Sequence, residues 1–157
     1  MATLEKALEI AARAHAGVKD KQGQPYILHA IRVMMGVDDE DAKIVAVLHD
    51  VVEDTAVTLE DIGAEGFDAE IIEALSLVTH QKECPYSKYV MGCKKNPIAR
   101  QVKLSDLRDN TNLNRVLLRQ AKFETDSSRL HKYILSYRFL TDQISEAEYL
   151  VLIERFE

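Results

Sequence analysis

Apolar residues recur at three- and four-residue spacings along most of the chain, and no stretch alternates apolar and polar residues as a half-buried strand would. Over residues 3–16, Leu4, Ala7, Leu8, Ala11, Ala12 and His15 fall on one face of a helix. The stretch "AGVKDKQGQP" that follows contains two glycines and a proline and reads as a loop. Pro25 suits the first turn of the next helix, "PYILHAIRVMMG", which Gly36 closes. "DDEDAKIVAVLHDVVED" begins with acidic residues, favoured by the helix dipole, and continues as one buried helical run.

Thr58 with Asp61 resembles a capping box opening a short helix. "DAEIIEALSLVTH" starts from an Asp cap, "PYSKYVMGCKKN" is a further helix, and "NPIARQVKLSDLRDNTNL" is another that begins at Pro97. Residues 124–142 and 145–156 supply two more helical periods. No repeat or low-complexity linker divides the chain. The expectation is a single all-α domain spanning 1–157, with eight to ten helices.

Bulk composition narrows the function classes. At 157 residues the chain can bury a core, and 46% apolar with 29% charged residues is the range of globular proteins. A net charge of −6 argues against a nucleic-acid partner, although a local basic pocket can still take a small phosphorylated ligand. No segment has the ~18 apolar residues of a membrane span, and the N-terminus lacks a signal-peptide apolar region, so no membrane partner is expected. Cys84 and Cys93 form no C-x-x-C pair and read as ordinary thiols, which places the protein in the cytoplasm.

"AVLHDVVEDT", residues 46–55, interrupts that picture. Two ionisable pairs in an apolar run are costly unless something compensates them. On a helix, His49 and Glu53 share a face, as do Asp50 and Asp54 one step round. "VKLSDLRDN" sets Lys103, Asp106 and Asn110 at three- and four-residue spacings on another helix, and His29 lies in the apolar "PYILHAI". A lone histidine on an apolar face is commonly a hydrogen-bonded core residue, and a His-Asp dipeptide alone says little. Together, two histidines and two aspartates can ligate one divalent metal such as Mn²⁺, Fe²⁺ or Zn²⁺. Four protein ligands on a six-coordinate ion leave positions for water and a phosphate oxygen.

"GQPYILH", "HDVVEDTAVTLEDI" and "VKLSDLRDN" resemble the HD-domain superfamily, in particular the RelA/SpoT-type (p)ppGpp hydrolase branch with its small, Mesh1-like alarmone hydrolases. The resemblance spans residues 23–110, with a weaker echo in "SSRLHKYILSYRFL". It implies that His29, His49, Asp50 and Asp106 ligate one divalent ion, usually Mn²⁺. It also implies that Glu53 and Asp54 position or deprotonate the attacking water and that Asn110 contacts a nucleotide. Lys103 is placed beside the site, within reach of a phosphate, and Tyr26 and Tyr133 are placed to line a nucleoside pocket. The implied reaction is removal of the 3′-pyrophosphate from (p)ppGpp, giving GDP or GTP and pyrophosphate. Alternatives are a phosphatase acting on another nucleotide, such as an NADPH-like molecule, and a nucleotide-binding module with little turnover.

Three positions depart from the branch. Val18 stands where an arginine is frequent, with Lys19 and Lys21 as candidate substitutes that lack the planar guanidinium fork. Ala30 replaces the proline that usually follows the first histidine. His80 ends a "VTH" segment that is usually "VTK"-like, and is expected at the surface.

Overall fold

Ten α-helices make up the structure, a computed structural model that describes residues 1–157: α1 (Leu4–Ala14), α2 (Ile27–Met35), α3 (Glu40–Leu48), α4 (Val51–Asp54), α5 (Leu59–Ala64), α6 (Ala69–Val78), α7 (Tyr86–Lys95), α8 (Pro97–Asn110), α9 (Phe123–Leu140) and α10 (Glu146–Ile153). Short 3₁₀ turns at Gln120–Lys122 and Glu154–Phe156 lead into α9 and follow α10. The one β-pairing is an isolated antiparallel bridge between Lys19 and Pro25, which pinches the loop before α2. The all-α expectation holds.

Helix α3 is the centre of the larger core. Ala42, Ile44, Val45, Ala46, Val47 and Leu48 are all buried, so the helix is apolar around its whole circumference and packs against α1, α2, α6 and α8. Asp39 caps its start, its side chain accepting the Ala42 N–H at 2.8 Å. A smaller core joins α7, α9 and α10 through Val90, Phe139, Leu140, Tyr149 and Ile153. Helix α8 serves both: Ala99 and Val102 face the larger core and Leu107 the smaller. Its C-terminal half therefore lies along the seam between them.

Contact between α2 and α8 depends on a glycine. A Cβ at Gly36 would lie 2.2 Å from Ser105 Oγ, the same hydroxyl that donates to the Val33 carbonyl at 2.8 Å. This close approach sets the helix carrying His29 against the one carrying Asp106.

Local details differ from expectation in three places. The run through "AVLHDVVED" is two helices, broken at His49 and Asp50. Asp50 sits at φ −98°, ψ −2°, and the His49 ring donates to the Ala46 carbonyl, drawing it out of the regular ladder. Pro25 precedes α2 rather than occupying its first turn, because Tyr26 N–H is committed to the Val18 carbonyl across the loop. Asp68 holds the N-cap position of α6 without a capping hydrogen bond, whereas the Thr58–Asp61 box opens α5 with both reciprocal bonds made.

Candidate metal centre and cleft

The break after α3 turns His49 and Asp50 toward α2 and α8. His49 Nδ1 lies 2.7 Å from the Ala46 carbonyl. A carbonyl only accepts, so Nδ1 carries the proton and Nε2 keeps its lone pair in the neutral ring. That Nε2 is 3.0 Å from Asp50 Oδ2 and 3.6 Å from Asp106 Oδ1, yet it is buried without a hydrogen-bond partner, since a lone pair and a carboxylate oxygen both only accept. From α2, His29 donates Nδ1–H to Asp109 Oδ2 at 2.6 Å. Its Nε2 then faces Asp106 Oδ1 at 3.2 Å and Asp50 Oδ2 at 3.5 Å.

The His29, His49 and Asp50 donor atoms thus lie within 4.8 Å of one another, and Asp106 Oδ1 stands 3.2 Å and 3.6 Å from the two histidine nitrogens. Their 3.0–3.6 Å separations match neighbouring ligands about 2.0–2.3 Å from a shared ion, which lie about 3 Å apart. The orphaned His49 Nε2 is the feature a cation would satisfy. The four residues fit a divalent metal in donor type, tautomer and spacing.

The electrostatics agree. Burial opposes protonation of His29, but the Asp106, Asp109 and Asp50 carboxylates outweigh it and lift its pKa to about 9. Burial likewise opposes charge on His49, and Asp50 and Asp106 hold its pKa well above the ordinary value. Burial raises the Asp106 pKa, but Lys103 and the two histidines hold the carboxyl well below the usual range. The cluster has surplus negative charge that draws in cations, and protons and a metal compete for the same nitrogens.

The surrounding residues brace this cluster. Lys103, buried, donates to Asp106 Oδ2 at 2.8 Å, and Asn110 Nδ2 donates to Asp106 Oδ1 at 2.7 Å. The Tyr26 hydroxyl donates to Asp50 Oδ2. These three side chains are engaged with cluster carboxylates, and all three also line the cleft. Tyr133 lines the cleft, half-buried, and burial pushes its hydroxyl pKa up to about 12.

Several bracing residues were not read from the sequence. Asp109 holds His29 and is itself held by Arg32 Nε at 2.8 Å and Arg115 Nη1 at 2.6 Å. The spacing was visible: Arg32 is three residues after His29, and Asp109 three after Asp106. His15, expected only as part of the α1 face, is 3% exposed, packs on Tyr26 at 4.9 Å between centroids, and has no partner for either ring nitrogen. Burial lowers its pKa, favouring the neutral ring.

Beyond the cluster opens a cleft of about 770 Å³. Glu53 and Asp54 stand on its wall, one turn past Asp50. Glu53 Oε2 accepts the His80 backbone N–H at 3.0 Å. Burial, Asp50 and Asp54 raise the Glu53 pKa against that bond, and burial and Asp50 raise that of Asp54. His80 is therefore not a surface residue. It is half-buried on the cleft wall, its ring stacked on Tyr89 at 4.8 Å and its Nε2 donating to the Cys84 carbonyl at 2.8 Å. The cleft lining also includes basic residues, with exposed Lys19 and Lys21 from the loop and Arg129 and Lys132 from α9. Val18 lies among them, 44% exposed.

Known proteins resemble this chain in sequence and fold. A guanosine-3′,5′-bis(diphosphate) 3′-pyrophosphohydrolase of Borreliella burgdorferi is 45% identical over 78 residues, which cover 47% of this chain and 12% of that protein. The Homo sapiens enzyme of the same name, MESH1, is 37% identical over 92 residues, 54% of this chain and 51% of that one. The chain thus spans about an eighth of the bacterial relative and half of the human one. A solved structure described as a metazoan ortholog of SpoT that hydrolyzes ppGpp superposes with a TM-score of 0.71 at 24% identity, covering 99% of this chain and 96% of that one, and shares its fold. Residues 7–118, which hold all four converging donors, match the HD domain family, and the chain belongs to that family.

Proposed function

We propose that the chain is one hydrolase domain, a metal-dependent nucleotide phosphohydrolase that removes the 3′-pyrophosphate of (p)ppGpp to give GDP or GTP and pyrophosphate. The observation that carries this reading is the convergence of His29 Nε2, His49 Nε2, Asp50 Oδ2 and Asp106 Oδ1 at one end of a cleft whose wall bears Glu53 and Asp54. The bacterial and human relatives named for this reaction support the substrate.

In this reading His29, His49, Asp50 and Asp106 hold one divalent ion, Mn²⁺ by family resemblance. When bound, the ion supplies Lewis acidity, acidifying water and drawing electron density from a phosphate oxygen. Glu53 orients the attacking water and takes its proton; Oε2 is fixed by the His80 N–H, which leaves Oε1 for that task. Its raised pKa makes it a stronger base than an ordinary carboxylate. Asp54 holds the water from the other side. The P–O3′ bond breaks as the water oxygen bonds to phosphorus, and the 3′-oxygen leaves with the nucleoside as a hydroxyl, the proton taken by Glu53 balancing the one it gains. Asp109 holds the His29 ring, while Lys103 and Asn110 hold the Asp106 carboxylate, so the donors need little rearrangement. A cytoplasmic setting belongs to this reading, supported by two free cysteines.

One observation favours a second substrate. Exposed Val18 offers no guanidinium to the cleft, so another phosphorylated nucleotide, of the NADPH type, fits the same chemistry. Incubation of the Mn²⁺-loaded protein with ppGpp separates the two. GDP and pyrophosphate support the leading reading. Their absence, with inorganic phosphate released from NADPH, replaces it with the second.

A further inference from the structure

The loop between α1 and α2 is closed on itself. Lys19 pairs with Pro25, Tyr26 N–H donates to the Val18 carbonyl at 2.9 Å, and Asp20 N–H donates to the Gln24 carbonyl at 2.8 Å. Asp20 Oδ1 accepts both the Gln22 and the Gln24 N–H at 2.9 Å, which fixes the turn from within. Lys19, Asp20, Lys21 and Gln22 all line the cleft, so the seating of this loop sets the shape of that stretch of lining.

Two contacts moor the loop, and both lead to Arg115. Gln22 Nε2 donates to the Asn114 and Arg115 carbonyls at 3.3 and 3.2 Å. Arg115 Nη2 stands 3.7 Å from Asp20 Oδ2, on a side chain that is 7% exposed. The other branch of the same guanidinium turns toward the candidate metal centre. Nη1 donates to Asp109 Oδ2 at 2.6 Å, to the Asp109 carbonyl at 3.1 Å and to Asn110 Oδ1 at 3.4 Å. Asp109 Oδ2 also accepts the His29 Nδ1–H, and Asn110 Nδ2 donates to Asp106 Oδ1. One side chain therefore backs two of the four donors and holds the loop as well.

Burial raises the Asp20 pKa, but the Gln24 and Gln22 N–H groups and Arg115 hold it below the usual range. Burial likewise raises that of Asp109, and His29, Arg32 and Arg115 hold it down. Both carboxylates are thus charged, with one planar guanidinium between them. A shift of the loop that turns this fork toward Asp20 also turns it away from Asp109 and Asn110.

We infer that Arg115 is a positioning residue that latches the 18–25 loop to the metal donors, so that a seated loop favours metal binding and a bound metal favours the seated loop. The metal rests on the hydrolase reading above, whereas the nucleotide does not enter. Such coupling between two places is reciprocal.

Asp20→Asn separates this latch from simple bracing. Asparagine keeps an oxygen for the Gln22 and Gln24 N–H groups and removes the charge facing Arg115, at a residue bonded to none of the four donors, nor to Asp109 or Asn110. Competition with a chelator is expected to give Mn²⁺ affinity about fivefold weaker in Asp20→Asn and about tenfold weaker in Arg115→Met. The double variant should be no weaker than Arg115→Met, because Asp20 acts through Arg115. Mn²⁺ should slow tryptic cleavage after Lys21 about fivefold in the parent and leave it nearly unchanged in Asp20→Asn. Should Arg115→Met not fold, Asp20→Asn decides alone. Parental Mn²⁺ affinity in Asp20→Asn, losses that add in the double variant, or Mn²⁺ protection of Lys21 that is absent in the parent or equal in both chains overturns the latch and leaves the metal centre standing. A parent that binds no Mn²⁺ overturns the metal reading and the latch with it.

Discussion

The two walls of the cleft are built on opposite principles. Around His29, His49, Asp50 and Asp106, nearly every polar atom is engaged, and the helices carrying the donors are locked by close packing at Gly36 and Ser105. Elsewhere on the lining, Lys19, Lys21, Arg129 and Lys132 project from a loop and a single helix, and Lys132 makes no ion pair. A metal centre requires donors fixed before the ion arrives, because a misplaced ligand forfeits affinity. A phosphate-binding wall gains from cations left unpaired until the ligand supplies the charge. The difference predicts that substitutions on the first wall act on metal content and turnover, and those on the second on substrate affinity.

The largest effect is expected from His49→Ala. It removes the orphaned Nε2, so elemental analysis should find the ion lost and turnover abolished; a variant that keeps stoichiometric metal would mean the donors are not those four. Glu53→Gln comes next, with kcat reduced about 10²–10⁴-fold and metal content and Tm unchanged. Parental turnover in that variant removes Glu53 from the mechanism. Asp109→Asn should weaken metal affinity about 10–100-fold through the His29 ring, read by competition with a chelator, while the fold survives on its packed core. Smallest is Gly36→Ala, which forces a Cβ onto Ser105 and should cost about 1–3 kcal/mol of stability, measured by denaturant titration. If Gly36→Ala is neutral, the two helices are not held at the separation described.

Helices were legible because their signals are local. The apolar period of α1, the acidic first turn of α3, the Thr58 cap and Pro97 at the start of α8 each report on neighbours within one turn. The proposed donor set was legible for a related reason: His49 and Asp50 are ionisable within an apolar run and need compensation, and Asp106 stands out by its helical spacing with Lys103 and Asn110. Bracing was not legible. Asp109, Arg32 and Arg115 look like ordinary solvated charges along a helix or loop, and only the packing of α2 on α8 brings them to the back of His29. Tyr26, Lys103 and Asn110 were rightly drawn to this region, but single-chain spacing says nothing of which atom each side chain meets. His80 was read as surface because it ends a "VTH" segment where "VTK" is usual, and a lysine there points to solvent. Its position follows from stacking on Tyr89 of α7, a contact between segments.

The break at His49 teaches the same lesson at closer range. A continuous helix and a helix broken by two residues have nearly the same apolar period. The Nδ1 bond to the Ala46 carbonyl, which decides between them, also selects the tautomer that leaves Nε2 free. A backbone irregularity and a ligand's protonation state share one hydrogen bond.

The most direct test is an anomalous difference map from crystals grown with Mn²⁺. The account predicts one strong peak bounded by His29 Nε2, His49 Nε2, Asp50 Oδ2 and Asp106 Oδ1, lost in His49→Ala. A peak held instead by Glu53 and Asp54, or no ordered ion between the histidines, would contradict it.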